Sequence, residues 1–204
     1  MSAKADGERV GLLGGTFDPV HAGHVAAAEA AIDCAHLDRV IFIPAAQPPH
    51  RPPAVAAVEQ RLEMCRLATQ GDARFAVSDL ELMRSGPSYT VDTLAGLRQM
   101  YPRDELFLIL GWDAARLFHT WRRPEEVRRL ASIVVVGRPG ASAPGEADLS
   151  QAGLDGERVV LCLQPTPDVS ASEIRRAVGA RESISGKVPA AVERYIAAHH
   201  LYAG

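Results

Sequence analysis

The residues with the most chemical content lie early in the chain, in Gly14-Gly15-Thr16-Phe17-Asp18-Pro19-Val20-His21-Ala22-Gly23-His24. Glycines let backbone N–H groups approach a phosphate closely, and a helix that opens just after them adds partial positive charge. His21 and His24 are three apart, so on that helix they share a face. Two imidazoles beside a phosphate site can donate hydrogen bonds to phosphoryl oxygens without a full cationic charge. With Thr16 and Asp18 in the turn, the segment points to phosphate chemistry rather than to a plain glycine turn. Other signatures fail: there is no G-x-G-x-x-G after the first apolar run, no Walker A loop at Gly186-Lys187, and no H-E-x-x-H.

Further along, Ser170 and Glu173 satisfy the S-x-x-E capping box, which marks a helix start. Arg175 then lies in the first turns of a helix whose N-terminus already favours an anion. Trp121 stands among Arg116, His119, Arg122 and Arg123, a setting too polar for a simple core stripe and suited to stacking on a flat ring. Asp113 follows an uncharged strand and Gly111-Trp112, where a carboxylate could accept from two ribose hydroxyls or simply cap a helix. His36, His199 and His200 read as ordinary surface residues of helices or their ends.

The elements that must position these residues follow from apolar patterning. Short apolar runs at 10–13, 39–43, 74–77, 106–110, 133–136 and 159–163 read as strands. Helical spacing covers 21–34, 58–69, 89–100, 170–178 and 189–199, with short helices in 112–130 broken by Pro124. The segment 138–156, rich in Gly, Ala, Ser and Pro, reads as a long loop. Alternating apolar strands and helices predict a doubly wound, Rossmann-like α/β fold: a parallel sheet with helices on both faces and a small C-terminal helical part from about residue 170. Ligands of such folds sit at the carboxyl ends of the strands, where the informative residues fall.

Composition bounds the answer. The chain has 204 residues, a net charge of −3 and 47% hydrophobic residues, which fits one globular domain spanning 1–204. No run approaches a membrane span, and the acidic balance gives no basic face for nucleic acid. Cys34, Cys65 and Cys162 form no C-x-x-C and their number is odd, which predicts reduced thiols and a cytoplasmic protein.

The opening motif resembles the signature of the nucleotidyltransferase superfamily that carries H-x-G-H. Several further segments are similar to one of its families, the bacterial nicotinate-mononucleotide adenylyltransferases. They are Pro48-Pro49-His50-Arg51, the run from Glu81 through Arg84 and Thr90 to Leu94, Gly111-Trp112-Asp113 with Trp121, Arg138-Pro139-Gly140, and Val169 to Arg175. The resemblance implies transfer of an adenylyl group from ATP, carried by Mg²⁺ on its phosphates, to nicotinate mononucleotide. It implies that Gly14, Gly15, Thr16, Phe17, His21 and His24 line the ATP phosphates, with Ser170, Ser172 and Arg175 closing from the far side. His21, His24 and Arg175 would be catalytic, and no protein side chain would be a metal ligand. Gly111 and Asp113 would hold the adenosine ribose, Thr90 and Trp121 the mononucleotide, and His50 and Arg51 would order over the phosphates. Where the family usually has Ser-Ser-Thr, this chain has Ser170-Ala171-Ser172, so Ala171 falls outside the site. Its usual lysine after Pro-Pro-His is Arg51, a planar fork in place of a point charge. A sibling transferase with another acceptor, such as phosphopantetheine, shares the opening motif, and a non-turnover dinucleotide sensor is the alternative of another class. The oligomeric state, monomer or homo-oligomer, stays open.

Overall fold

The computed structural model describes residues 7–48, 52–137 and 144–203. Six strands form one sheet: β1 (Arg9–Gly15), β2 (Arg39–Pro44), β3 (Phe75–Val77), β4 (Glu105–Gly111), β5 (Ser132–Val136) and β6 (Val159–Cys162). Their order is β3-β2-β1-β4-β5-β6, and every pairing is parallel. The helices are α1 (Ala22–Ala35), α2 (Val58–Thr69), α3 (Thr90–Met100), α4 (Trp112–Ala115), α5 (Pro124–Leu130), α6 (Glu146–Gln151), α7 (Ala171–Gly179) and α8 (Ala190–Ala198), with a 3₁₀ turn at Phe118–Thr120. This is the doubly wound α/β sheet that the patterning predicts.

Strand side chains alternate between two cores, as a pleated sheet covered on both faces requires. Leu13, Val40, Phe42, Phe107, Ile109, Val134 and Val136 pack with α1, α2, α7 and α8. Val10, Leu12, Ile41, Leu106, Leu108, Ile133 and Val135 pack with α3, α4 and α5. The buried residues of the C-terminal helices, among them Ile174, Val192 and Ile196, belong to the first of these cores.

Three local expectations change. Pro124 does not break a helix; it opens α5 at the first helical position, where its missing N–H costs nothing. The expected loop contains α6, begun by Gly145, whose N–H donates to the Asp148 carboxylate (2.9 Å). Ala152 and Leu154 just beyond it are fully buried in the second core, which holds the short helix despite its loop-like composition. The cysteines are not all thiols: Cys34 and Cys162 form a disulfide, and Cys65 is free and buried. The pair is 128 residues apart in sequence, so only the packing of α1 against β6 reveals it. Among the described residues no helix is long and apolar enough to cross a membrane.

The centre of the sheet is tight at Gly11. A Cβ there would lie 2.7 Å from Leu37 Cδ1 and 2.9 Å from both Ile109 Cδ1 and Val40 Cγ2. Gly11→Ala should therefore cost about 1–3 kcal/mol through overpacking. Urea unfolding checks this, and an unchanged midpoint would show that the three neighbours can retreat freely.

Candidate active site

The strand order reverses between β1 and β4, because the chain winds outward from β1 to β3 and then from β4 to β6. No crossover covers the carboxyl ends at that point, so a crevice opens there. Its floor is Gly14 and Gly15 at the end of β1 and Gly111 at the end of β4. A Cβ on Gly14 or on Gly111 would meet nothing within 4 Å. The protein's own packing therefore does not demand glycine at either position; close approach by something else would.

Beyond Gly15 the chain turns sharply. Phe17 takes a left-handed conformation (φ 49°), unusual for a bulky residue and maintained by its setting. Its ring is buried, edge-on to His24 (4.9 Å) and tilted against Phe42 (5.8 Å). With the ring packed inward, any contact Phe17 makes with a ligand in the crevice falls to its main chain. Asp18 is buried and anchors the turn from below. Its carboxylate accepts from the N–H groups of Val55 (2.8 Å) and Ala56 (3.0 Å) and from the Tyr202 hydroxyl (2.8 Å).

His21 is the N-cap of α1 rather than its first residue, and His24 sits one turn in. Their rings stack with centroids 3.7 Å apart. The His21 N–H donates to His24 Nδ1 (3.2 Å), which leaves Nε2 as the proton-bearing nitrogen of a neutral His24. His21 is the more deeply buried of the two, at 8% exposure. Burial lowers its pKa to about 4, so it is an uncharged imidazole at neutral pH. Its Nδ1 is buried without a hydrogen-bond partner.

The far side of the crevice comes from α7. Ser170 caps it as the sequence predicts, accepting from the Glu173 N–H, while Glu173 accepts from the Ser170 N–H (both 3.3 Å). Ser172 lies 3.3 Å from Ser170, oxygen to oxygen. Arg175 reaches across to the turn and donates to the Asp18 carbonyl (2.7 Å), with the Asp18 carboxylate 3.8 Å away. The Ala22 N–H donates to the Lys187 carbonyl (2.9 Å), a second tie between α1 and the C-terminal segment.

The other end of the crevice belongs to the opposite helical layer. Asp113 lies in the first turn of α4. Thr90 opens α3, whose N-cap Tyr89 supplies no side-chain hydrogen bond. Trp121 is half-buried with its ring tilted on Phe118 (5.4 Å). Arg122 lies over the Tyr89 ring (4.5 Å) and Arg123 pairs with Asp92 (3.9 Å), so the segments carrying Thr90 and Trp121 meet. Nearby, buried Glu81 accepts from the Thr93 hydroxyl (2.6 Å), bracing the first turns of α3. His50, Arg51 and the Arg138-Pro139-Gly140 segment lie outside the described residues.

Sequence reasoning missed Arg61, which is almost fully buried and donates to the carbonyls of Thr16 (2.6 Å) and Ala56 (3.3 Å). Its one signal is position: it precedes Cys65 by four, on the buried face of α2. Tyr202 gave no sequence signal at all.

The buried His21 has a stability signature. An unfolded histidine titrates near 6.5 and the folded one near 4, so between these values the unfolded chain binds more protons. Its contribution is complete above about pH 6.5 and is lost as the pH falls toward 4. Unfolding free energies of wild type and His21→Gln, measured from pH 7 to pH 4.5, should converge on acidification by roughly 1–3 kcal/mol. Parallel curves would show that His21 does not carry this dependence.

Residues 12–177 match the cytidylyltransferase-like family. A Thermus thermophilus protein named "probable nicotinate-nucleotide adenylyltransferase" is 48% identical, the match covering 95% of this chain and 99% of that one. A Neisseria meningitidis protein of the same name is 42% identical over 96% and 98% of the two chains. In fold, the chain is similar to the Plasmodium falciparum nicotinic acid mononucleotide adenylyltransferase complexed with NaAD. That match has a TM-score of 0.78, 17% identity, and coverage of 96% of this chain and 97% of the other. With a crevice of this shape and likeness along nearly its whole length, the chain belongs to the cytidylyltransferase-like family and, within it, to the nicotinate-nucleotide adenylyltransferases.

Proposed function

We propose that this chain joins ATP and nicotinate mononucleotide into nicotinate adenine dinucleotide and pyrophosphate, a step of NAD biosynthesis. The observation that carries the reading is the crevice at the β1–β4 reversal, with open glycines on its floor and two stacked, largely buried histidines at its edge. The 5′-phosphate of the mononucleotide attacks the α-phosphorus of ATP, and the bond to the departing pyrophosphate breaks. The substrate supplies the nucleophile, so the protein's work is positioning and charge stabilisation.

Each residue then has a task. The backbone of Gly14, Gly15, Thr16 and Phe17 faces the triphosphate. His21, neutral at working pH, and His24 donate hydrogen bonds to oxygens whose charge grows in the transition state. Arg175 supplies a full positive charge from α7, and the hydroxyls of Ser170 and Ser172 line the same wall. Gly111 and Asp113 receive the adenosine ribose. Thr90 and Trp121 hold the nicotinate ring, Trp121 by stacking with the face not turned to Phe118. His50 and Arg51 cover the phosphates.

Mg²⁺ would come to the site on the ATP phosphates. Imidazoles and a guanidinium are a poor donor set for a hard cation, and among the described residues no three His, Cys, Asp or Glu gather to hold one. The ion supplies charge neutralisation on the polyphosphate. The chain works as one domain, since α7 and α8 complete both the core and the phosphate wall. The cytoplasmic assignment rests on the proposed reaction, since Cys34 and Cys162 form a disulfide rather than the expected thiols; that bridge lies toward the far end of α1 from His21, away from the crevice.

The start of α3, without a side-chain cap, favours a carboxylate, as does the Arg122 guanidinium beside it. An amide would set its own N–H₂ against those donors. Pyrophosphate release with ATP and Mg²⁺ should give a kcat/KM for nicotinate mononucleotide at least about a hundredfold above that for the amide form. Equal values, or a better rate with phosphopantetheine, would overturn the assignment of the acceptor.

The floor of the crevice gives a second test. Gly14 has ordinary φ and open space, so Gly14→Ala should melt within a degree or so of wild type while its KM for ATP rises roughly tenfold or more. A variant with unchanged ATP kinetics would place the triphosphate elsewhere.

A further inference from the structure

Beneath the phosphate turn lies a polar cluster that the reaction does not itself require. Asp18 Oδ1 accepts from the Ala56 N–H and the Tyr202 hydroxyl, and Oδ2 accepts from the Val55 N–H and faces Arg175. A carboxylate offers about four acceptor sites, and three of them are taken by hydrogen bonds, with the Arg175 guanidinium close by at 3.8 Å. Asp18 is thus held from several sides at once, by the backbone at 55–56, by Tyr202 and by Arg175. Arg61 supports the same turn from α2, through the Thr16 carbonyl, and ties it to the Ala56 carbonyl. Burial lowers the pKa of Arg61 and raises that of Tyr202, whose bond to Asp18 acts in the same direction. Tyr202 therefore keeps its hydroxyl proton for Asp18 in the working range.

The cluster has one outlet. Arg175 spends a single N–H on the Asp18 carbonyl, and its guanidinium makes no other hydrogen bond to the described residues. Its other donors remain for the crevice. We propose that Asp18, Arg61 and Tyr202 form a positioning hub that, through the Thr16–Asp18 turn, sets where Arg175 meets the triphosphate of ATP. The inference rests on the reading of Arg175 as a phosphate ligand. The three residues touch no substrate. They act by fixing the turn, whose carbonyl in turn holds Arg175, and Tyr202 brings the last turn of the chain onto the same carboxylate. A cation on a flexible stem gains binding strength when its geometry is set beforehand, because less freedom is lost on contact.

Positioning and mere structural support make different predictions in a double-mutant cycle. Tyr202→Phe removes one oxygen and keeps the ring. The dissociation constant of Mg-ATP is measured by calorimetry, without acceptor, for wild type, Tyr202→Phe, Arg175→Ala and the double variant, with folding checked by thermal melting. Tyr202→Phe should weaken ATP about three- to tenfold, and Arg175→Ala about tenfold or more. In the Arg175→Ala background, Tyr202→Phe should change affinity by less than about twofold, because the group it positions is gone. Fold-changes that multiply, or a Tyr202→Phe affinity equal to wild type, overturn the hub. Should Tyr202→Phe not fold, Arg61→Lys takes its place in the same cycle with the same expectations. Wild-type chain that binds Mg-ATP but does not adenylate nicotinate mononucleotide would sink the proposed acceptor and leave this cycle readable.

Discussion

A sheet wound outward in both directions from its middle leaves one place that no crossover can cover, and everything informative in this chain gathers around it. β1 and β4 are hydrogen-bonded neighbours whose following helices depart to opposite faces. Parallel pairing aligns all the carboxyl ends, so the uncovered place is also where loops, helix N-termini and unpaired backbone donors converge. The crevice comes with the connectivity; the side chains at its rim decide what it accepts.

The rim is built by making ordinary groups unable to move or to charge. His21 is kept neutral by burial and stacked on its neighbour, so it acts as a fixed dipole instead of a titrating base. Phe17 uses its side chain as an anchor in the core, which fixes the left-handed turn of its main chain. Asp18, the acid nearest the histidines in sequence, is held by three hydrogen bonds and a nearby guanidinium. The result is a surface of preset donors, suited to a reaction in which charge shifts between phosphates and no protein atom forms a covalent bond.

Much of this is legible in the sequence, and the reasons for the exceptions are physical. Strands buried on both faces are continuous apolar runs, so β1 to β6 show themselves within a residue or two, and the Gly-Gly turn and the Ser170–Glu173 cap follow from local chemistry. What stays hidden depends on contacts distant along the chain. α6 has a loop's composition and is held by Ala152 and Leu154 against a core assembled elsewhere. Cys34 finds Cys162 only because α1 crosses to β6. Arg61 looks like a surface arginine until the Thr16 carbonyl above it is known, and the same is true of Tyr202 and Asp18, 184 residues apart.

The division of the interior into two cores carries a consequence for how such a protein can change over time. The histidines, Arg175 and the hub rest on the layer of α1, α2, α7 and α8, whereas Thr90, Asp113 and Trp121 rest on the layer of α3 to α5. The sheet stands between them as a partition, and substitutions that repack one layer need not disturb the other. A lineage can therefore rework the layer of α3 to α5 while the histidines and Arg175 keep their places, so that change on one side of the wall need not be matched on the other.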